Sequence, residues 1–150
     1  MSTQRRKFLL GLLAGAATLA LAPLKALAMR PDQAFEAKSA ADTLQAMFGA
    51  GETADSGDIT IKAPDIAENG AVVPITVKYK LDNAESVAIV VDENPNPLAA
   101  AFALTPHSGG LVSTRIKMLK TSMVHAVIKA DGKLLKASKE VKVTIGGCGG

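Results

Sequence analysis

An all-β fold is predicted for this chain, an antiparallel β-sandwich preceded by one amphipathic helix. Between residues 59 and 145, apolar and polar residues alternate in about seven short runs, as in strands that bury one face. Turn-forming residues separate the runs, and no stretch with a helical period lies between them, which favours a sandwich over a βαβ sheet. Residues 32–48 have a three- and four-residue apolar spacing instead, which indicates a helix.

Residues 1–28 have the layout of an export signal. Arg5, Arg6 and Lys7 precede a run from Phe8 to Ala22 that contains no charge, and residues 26–28 have the small-x-small form of a cleavage site. The paired arginines resemble the twin-arginine signal. We expect a mature chain that starts at Met29 and is periplasmic. A retained anchor is the weaker alternative, because a membrane span needs about 20 apolar residues.

A single helix is predicted over residues 32–48. Pro31 suits the start of a helix, and Gly49 suits a C-cap in the left-handed conformation. We expect the apolar stripe to cover a sheet edge or one end of the domain, and a partner-binding helix is the alternative. The stripe consists of Ala37, Ala40, Ala41, Leu44, Met47 and Phe48.

The strands are predicted from alternating apolar residues after Gly51. Asp131-Gly132, between two runs, predicts a tight hairpin. Pro74, inside a run, predicts an edge strand or a bulge. The alternating residues are Ile59 and Ile61; Val73, Ile75, Val77 and Tyr79; Val87, Ile89 and Val91; Phe102 and Leu104; Val112, Ile116 and Met118; Val124, Ala126 and Ile128; and Val141, Val143 and Ile145.

Charge and cysteine content exclude several classes of protein. The net charge is +3, but the leader holds four basic residues and no acid, so residues 29–150 have a slight acidic excess. Bulk electrostatics therefore argue against nucleic-acid binding. The single cysteine excludes an internal disulfide and a multi-cysteine metal site, and the sequence has no haem-attachment motif. No cofactor is predicted.

The most informative segment is residues 146–150, in which Gly146, Gly147, Gly149 and Gly150 surround Cys148. Glycines leave the backbone free and remove neighbouring side chains, so we expect a thin carrier arm that reaches about 17 Å at most. The C-terminal carboxylate disfavours a thiolate, and no histidine adjoins Cys148. The pattern predicts a carried thiol whose chemistry is completed by a partner. A frayed tail with an incidental cysteine is the alternative.

The tail and the strands before it resemble the SoxY family, the sulfur-substrate carriers of the periplasmic thiosulfate-oxidising system. The resemblance lies in residues 63–74 (APDIAENGAVVP), 94–99 (NPNPLA), 112–118 (VSTRIKM) and 139–150 (KEVKVTIGGCGG). It implies an immunoglobulin-like β-sandwich over residues 29–145 and a SoxZ-like subunit as heterodimer partner. It also implies covalent attachment of thiosulfate to Cys148 by a SoxXA-like cytochrome. A SoxB-like hydrolase and, in some systems, a sulfane dehydrogenase then act on the adduct.

Other interpretations stay open at this point. A ubiquitin-like sulfur carrier would activate the carboxylate of Gly150, and a structural module would use Cys148 in an intermolecular disulfide. A metal site would need Cys148, His107 and His125, which have no close spacing. The basic C-terminal third is either a solvated face or a surface that recruits anionic sulfur species or acidic partner surfaces. Its lysines are Lys117, Lys120, Lys129, Lys133, Lys136, Lys139 and Lys142.

Overall fold

The computed structural model describes residues 30–145, so the predicted signal peptide at 1–28 and the predicted carrier arm at 146–150 lie outside the described residues. The helices are α1 (Asp32–Glu36) and α2 (Ala40–Phe48). The strands are β1 (Ala54–Asp55), β2 (Ile59–Lys62), β3 (Ile66–Ala67), β4 (Val73–Tyr79), β5 (Ala84–Val91), β6 (Leu98–Ala103), β7 (Leu111–Ile116), β8 (Ser122–Ala130) and β9 (Lys133–Val143).

Two packed sheets form the sandwich, which confirms the predicted fold class. The larger sheet has the order β1-β9-β8-β5-β6, and the smaller has the order β2-β4-β7. Alternation along β4 and β8 turns every second residue into the space between the sheets. The fully buried residues of this core include Val73, Ile75, Val77, Val87, Ile89, Val91, Met118, Val124, Ile128 and Val141.

Two short strands depart from the predicted antiparallel pairing. β1 pairs in parallel with β9 at Leu135 and Lys136, and β3 pairs in parallel with β9 at Lys142 and Val143. Since β8 occupies the other side of β9, both short strands cover the edge of β9 that would otherwise be open. Such cover satisfies backbone groups that would otherwise offer an edge for pairing with another chain.

The prediction of one helix over residues 32–48 is wrong, because the chain forms two helices. Ala37 ends α1 in an extended conformation, and Ser39 then caps α2. The Ser39 hydroxyl accepts a hydrogen bond of 3.0 Å from the amide of Asp42. A serine at this position satisfies a free amide of the new helix and so favours a restart over continuation. Gly49, with φ of 72°, is the predicted C-cap.

The helices pack on the outer face of the larger sheet. Ala34 of α1 is fully buried there against Ala88, Val90 and Leu98 of β5 and β6. The side-chain amide of Asn96 donates to the Phe35 carbonyl at 2.8 Å and joins the loop before β6 to α1. The apolar stripe thus covers the edge strand β6 and its neighbour. Within residues 30–145, neither helix has the length and hydropathy needed to cross a bilayer.

The tight turn predicted at Asp131-Gly132 is confirmed, whereas the edge strand or bulge predicted at Pro74 is wrong, because β4 pairs on both sides and without a bulge. Asp131 and Gly132 have φ values of 49° and 72° and join β8 to β9 as a two-residue hairpin turn. Pro74 lies in the central strand of the smaller sheet, but β2 ends at Lys62, opposite Thr76. The pairing between β2 and β4 has therefore already ended at Pro74. The missing amide of Pro74 faces this open side, so no hydrogen bond between strands is lost.

Candidate functional site

The predicted site residue Cys148 and its glycines, Gly146, Gly147, Gly149 and Gly150, lie outside the described residues. What the structure shows is the base from which they extend. Ile145 is the last described residue, two positions after the end of β9. The geometry around residues 142–145 therefore determines where the predicted arm begins.

On one side, the segment around β3 holds this base through backbone hydrogen bonds. The Lys142 amide donates to the Asp65 carbonyl at 3.0 Å, and the Thr144 amide donates to the Ala67 carbonyl at 3.1 Å. The Thr144 hydroxyl also donates to the Glu68 carbonyl at 3.1 Å. The chain thus stays fixed beyond the last residue of β9.

The connections before β4 and β8 complete the anchoring. The Gly70 amide donates to the Ile145 carbonyl at 2.8 Å, while the Met118 amide donates to the Gly70 carbonyl at 2.7 Å. The Val143 amide donates to the Thr121 hydroxyl at 3.0 Å. Because these bonds come from segments next to both sheets, the chain leaves the sandwich at a defined point.

Exposed apolar side chains surround this point. Ile66, Val72 and Ile145 are exposed by 57%, 55% and 69%, and we call these three residues the collar. In the described part of the chain, the remaining large apolar side chain with comparable exposure is Leu111, at 46%. Leu111 pairs with Lys78 near the opposite end of the smaller sheet.

The loop after β5 stiffens the same end of the sandwich. The Asn94 side chain donates to the Lys117 carbonyl at 2.8 Å and accepts from the Leu119 amide at 3.0 Å. The Glu93 amide donates to the Ser122 hydroxyl at 3.1 Å. These contacts tie the Asn-Pro-Asn-Pro loop to the connection between β7 and β8, which carries Thr121.

A hydrogen-bonded trio that the sequence did not predict lies on the outer face of the larger sheet. His125 Nδ1 is 2.7 Å from Ser138 Oγ, and His125 Nε2 is 2.9 Å from Asp92 Oδ2. The three residues come from β8, from β9 and from the position just after β5, so the trio bridges three strands. No local motif marks it, because strand register alone brings these side chains together. His125 lies on the opposite face from Ile128 and on the same face as Val127.

The structure does not bring the two histidines of the metal-site alternative together. His107 lies in the turn between β6 and β7, and this turn is at the end of the sandwich away from Ile145. Both ring nitrogens of His125 already have partners. Within residues 30–145, no cluster of three His, Cys, Asp or Glu side chains could hold a metal ion.

Four of the seven lysines in the basic C-terminal third form ion pairs with acidic side chains. Of its seven lysines, Lys117, Lys133 and Lys142 have no ion pair among the described residues. The other four are paired, Lys120 with Glu93, Lys129 with Glu85, Lys136 with Asp55 and Lys139 with Asp65. Pairing lowers the net positive potential of this surface and favours the solvated-face interpretation.

Comparison with known proteins identifies the family. The family model described as "Sulfur oxidation protein SoxY" matches residues 44–148, which is most of the chain. The chain belongs to the SoxY family. This SoxY-family chain is also similar to a solved structure, the sulfur carrier protein SoxY from Chlorobium limicola f thiosulfatophilum. The two are 43% identical over 69% of this chain and 94% of that chain, with a TM-score of 0.63.

A more distant structural likeness is to the superoxide reductase (neelaredoxin) from Ignicoccus hospitalis. It is 18% identical over 57% of this chain and 78% of that chain, with a TM-score of 0.49. No curated protein matches the sequence. The resemblance to the SoxY family, first seen in the sequence, is confirmed by the family match, and that match extends through Cys148.

Proposed function

We propose that this chain is a periplasmic sulfur carrier that holds thiosulfate-derived intermediates on Cys148 and presents them to partner enzymes. The observation that carries the proposal is the SoxY-family match, which runs from α2 through Cys148. The relative from Chlorobium limicola f thiosulfatophilum is itself named a sulfur carrier protein. The anchored end of β9 is also the kind of base that a tethered thiol needs, because it fixes where the tether starts.

The first proposed step is oxidative attachment of thiosulfate. The Cys148 thiol loses its proton, its sulfur forms a bond to the terminal sulfur of thiosulfate, and two electrons leave. A SoxXA-like c-type cytochrome accepts these electrons. The product is an S-thiosulfonate on Cys148. In this step the chain supplies the sulfur atom and its presentation, while the partner supplies the oxidant.

The second proposed step is hydrolysis by a SoxB-like enzyme. Water attacks the sulfonate sulfur, the bond between the two cargo sulfurs breaks, and sulfate leaves with release of two protons. A persulfide stays on Cys148. In some systems, a sulfane dehydrogenase then oxidises its outer sulfur. The chain is a covalent carrier in this sequence, not an enzyme, because glycines on both sides of Cys148 provide no general base or acid.

Three further parts of the proposal concern export, the partner subunit and the arm. Residues 1–28 direct export by the twin-arginine route, so Cys148 works in the periplasm. A SoxZ-like subunit forms a heterodimer with the β-sandwich. The Gly-rich segment acts as a swinging arm, since narrow flanking residues let the thiol enter a confined cleft on another protein.

Intact-mass analysis of Cys148→Ser tests the proposed attachment. The chain should be combined with a SoxZ-like subunit, a SoxXA-like cytochrome and thiosulfate. Wild-type protein should gain the thiosulfate adduct on the peptide that contains Cys148, and Cys148→Ser should fold and pair but gain none. Loading of Cys148→Ser would refute the proposal, as would a thiocarboxylate on Gly150.

A relocated thiol provides the matched control. Thr60 is exposed on β2, so Cys148→Ser combined with Thr60→Cys keeps one accessible thiol but removes it from the arm. We expect this protein to react with small alkylating reagents and to stay unloaded by the cytochrome. Equal loading of the relocated thiol would show that the arm has no special role.

A further inference from the structure

The outer face of β2, β4 and β7, the strands of the smaller sheet, carries positive charge and no acidic side chain. Alternation along β4 buries every second residue, so the residues between them face away from the core. Strand register sets β2 and β7 beside them, with Lys62 opposite Thr76 and Thr76 opposite Ser113. Six outward residues make up what we call the basic face: Thr60, Lys62, Thr76, Lys78, Ser113 and Arg115.

The three cations of the basic face lie close together. Strands are about 4.8 Å apart and rise about 3.4 Å per residue, so the Cα atoms of Lys62, Lys78 and Arg115 fall within about 15 Å of one another. None of the three has an ion pair within residues 30–145, whereas four lysines of the C-terminal third do. Since residues 29–150 have a slight acidic excess, the basic face is a local concentration of unneutralised charge.

The other groups of this surface are mainly polar. The hydroxyl oxygens of Thr76 and Ser113 lie 3.0 Å apart, so they satisfy each other. Leu111, opposite Lys78, is the large apolar side chain exposed at one corner. Permanent interfaces bury largely apolar surface, whereas charged surfaces chiefly raise the rate of association. The composition therefore indicates a short-lived contact governed by charge, unlike the apolar collar.

A protein is the occupant that these observations favour. The outward residues of the three strands include no aromatic side chain on which a base could stack, and the acidic excess of residues 29–150 repels nucleic acid. Lipid surfaces are recognised by larger clusters, of about four to eight basic residues. Three cations held in rigid rows instead match a protein surface whose carboxylates have equally fixed positions.

We propose that the basic face receives an acidic surface of a protein that visits the carrier transiently. The inference rests on the proposed function, because a carrier must meet more than one enzyme, and it adds the chemistry of a partner's contact surface. The basic face belongs to the smaller sheet, whereas the predicted arm continues from β9 in the larger sheet. At physiological ionic strength its field extends about 8 Å into solution, so the cations attract the partner before contact.

Reaction kinetics at several ionic strengths test the basic face. The substrate is the full mature chain paired with a SoxZ-like subunit. The two reactions are thiosulfate loading by a SoxXA-like cytochrome and sulfate release by a SoxB-like hydrolase. The test variant combines Lys62→Gln, Lys78→Gln and Arg115→Gln, which removes three positive charges.

The matched control removes the same charge from the larger sheet. It combines Lys129→Gln, Lys133→Gln and Lys136→Gln, which all lie on β8 and β9. The control therefore separates an effect of this face from an effect of net charge.

At an ionic strength of about 0.01 M, the test variant should lower kcat/KM by about threefold to tenfold in at least one of the two reactions, because the encounter loses its attraction. The difference should shrink as salt approaches about 1 M, where charges are screened within about 3 Å. The kcat at saturation and the thermal midpoint should stay at wild-type values. The control should keep the wild-type kcat/KM.

Four results would overturn this inference while the proposed function stands. The first is equal salt dependence of the wild type and the test variant in both reactions, and the second is an equal loss of kcat/KM in the control. The third is loss of the heterodimer in the test variant, which would assign the basic face to the permanent subunit. The fourth is binding of the wild type, but not of the test variant, to phosphatidylglycerol vesicles, which would make a lipid surface the occupant. If wild-type Cys148 is not loaded at all, the proposed function itself fails, and this inference fails with it.

Discussion

The amide of Gly70 donates a 2.8 Å hydrogen bond to the carbonyl of Ile145, the last described residue before the predicted arm. The Gly70 carbonyl accepts from the Met118 amide at 2.7 Å, so this residue links the end of β9 to the connection after β7. The reach of Cys148 can therefore be measured from Ile145 and not from a point further back in the chain. A fixed origin of this kind is what distinguishes a tether from a frayed end.

Removing the hydroxyl of Thr144 should loosen this origin without unfolding the sandwich. Thr144→Val loses the hydrogen bond to the Glu68 carbonyl, which contributes about 0.5–1.5 kcal/mol. We expect the amides of Gly70 and Val143 to exchange with solvent about threefold to tenfold faster, measured by hydrogen exchange with NMR detection. The free energy of global unfolding should fall by the same amount, about 0.5–1.5 kcal/mol, which is too little to unfold the sandwich.

Thr60→Val is the matched control for this measurement. Thr60 is exposed on β2, and its hydroxyl has no hydrogen-bond partner among the described residues. Its substitution should leave exchange at Gly70 and Val143 unchanged. If Thr144→Val behaves like this control, the hydroxyl does not help to hold the end of β9.

The long strands and the Asp131-Gly132 hairpin were predictable because their signals are local. Alternation of period two specifies a buried face, and a turn of positive φ requires residues such as Asp-Gly. The helix break illustrates the opposite case. The apolar spacing of residues 32–48 continues across the break, whereas the single hydroxyl of Ser39 decides where α2 begins.

The anchoring of residues 142–145 could not have been predicted from side chains. Apart from the Thr121 hydroxyl, its acceptors are backbone carbonyls, those of Asp65, Ala67, Glu68 and Ile145, and a carbonyl is the same in every residue. The trio around His125 depends likewise on the register of β8 and β9, which places Ser138 directly opposite His125. Tertiary pairing, not sequence spacing, creates both features.

Alanine at Gly110 should destabilise the end of the sandwich that lies away from the arm. Gly109 and Gly110 both have positive φ, but only a Cβ on Gly110 would meet another atom, the Tyr79 carbonyl oxygen at 2.8 Å. We expect Gly109→Ala to lower the free energy of unfolding by about 1 kcal/mol, through backbone strain alone. Gly110→Ala should lower it by about 2–4 kcal/mol, because the backbone must also shift.

Urea denaturation of the two variants checks this difference. The slope of the free energy against urea should stay the same, so that the midpoint alone reports stability. Equal midpoints would mean that the Tyr79 carbonyl moves away freely. Loading of Cys148 should be normal in both folded variants, since neither glycine lies near Ile145.

The Asp92–His125–Ser138 trio should behave as one stabilising unit. His125→Ala removes both hydrogen bonds and should lower the free energy of unfolding by about 1–3 kcal/mol. Asp92→Ala should be destabilising in the wild type but nearly neutral in the His125→Ala background, because its partner is already gone. A double-mutant cycle by urea denaturation measures this coupling. Additive effects would show that Asp92 stabilises the fold by some other contact.

Stiffening the predicted arm at Gly147 should slow turnover while stability stays constant. Proline fixes φ near −65° and also restricts Gly146, so Gly147→Pro limits the approaches of Cys148 to a cleft. We expect kcat/KM for thiosulfate loading to fall at least about tenfold, because displacement of a reacting atom by about 1 Å costs that much or more. Gly147→Ala adds only a methyl group, so its kcat/KM should lie between those of the wild type and of Gly147→Pro.

The thermal midpoint should be the same in all three proteins, since Gly147 lies beyond the anchored residues. Equal kcat/KM across this series would contradict the proposal that the arm must move and fit a narrow cleft.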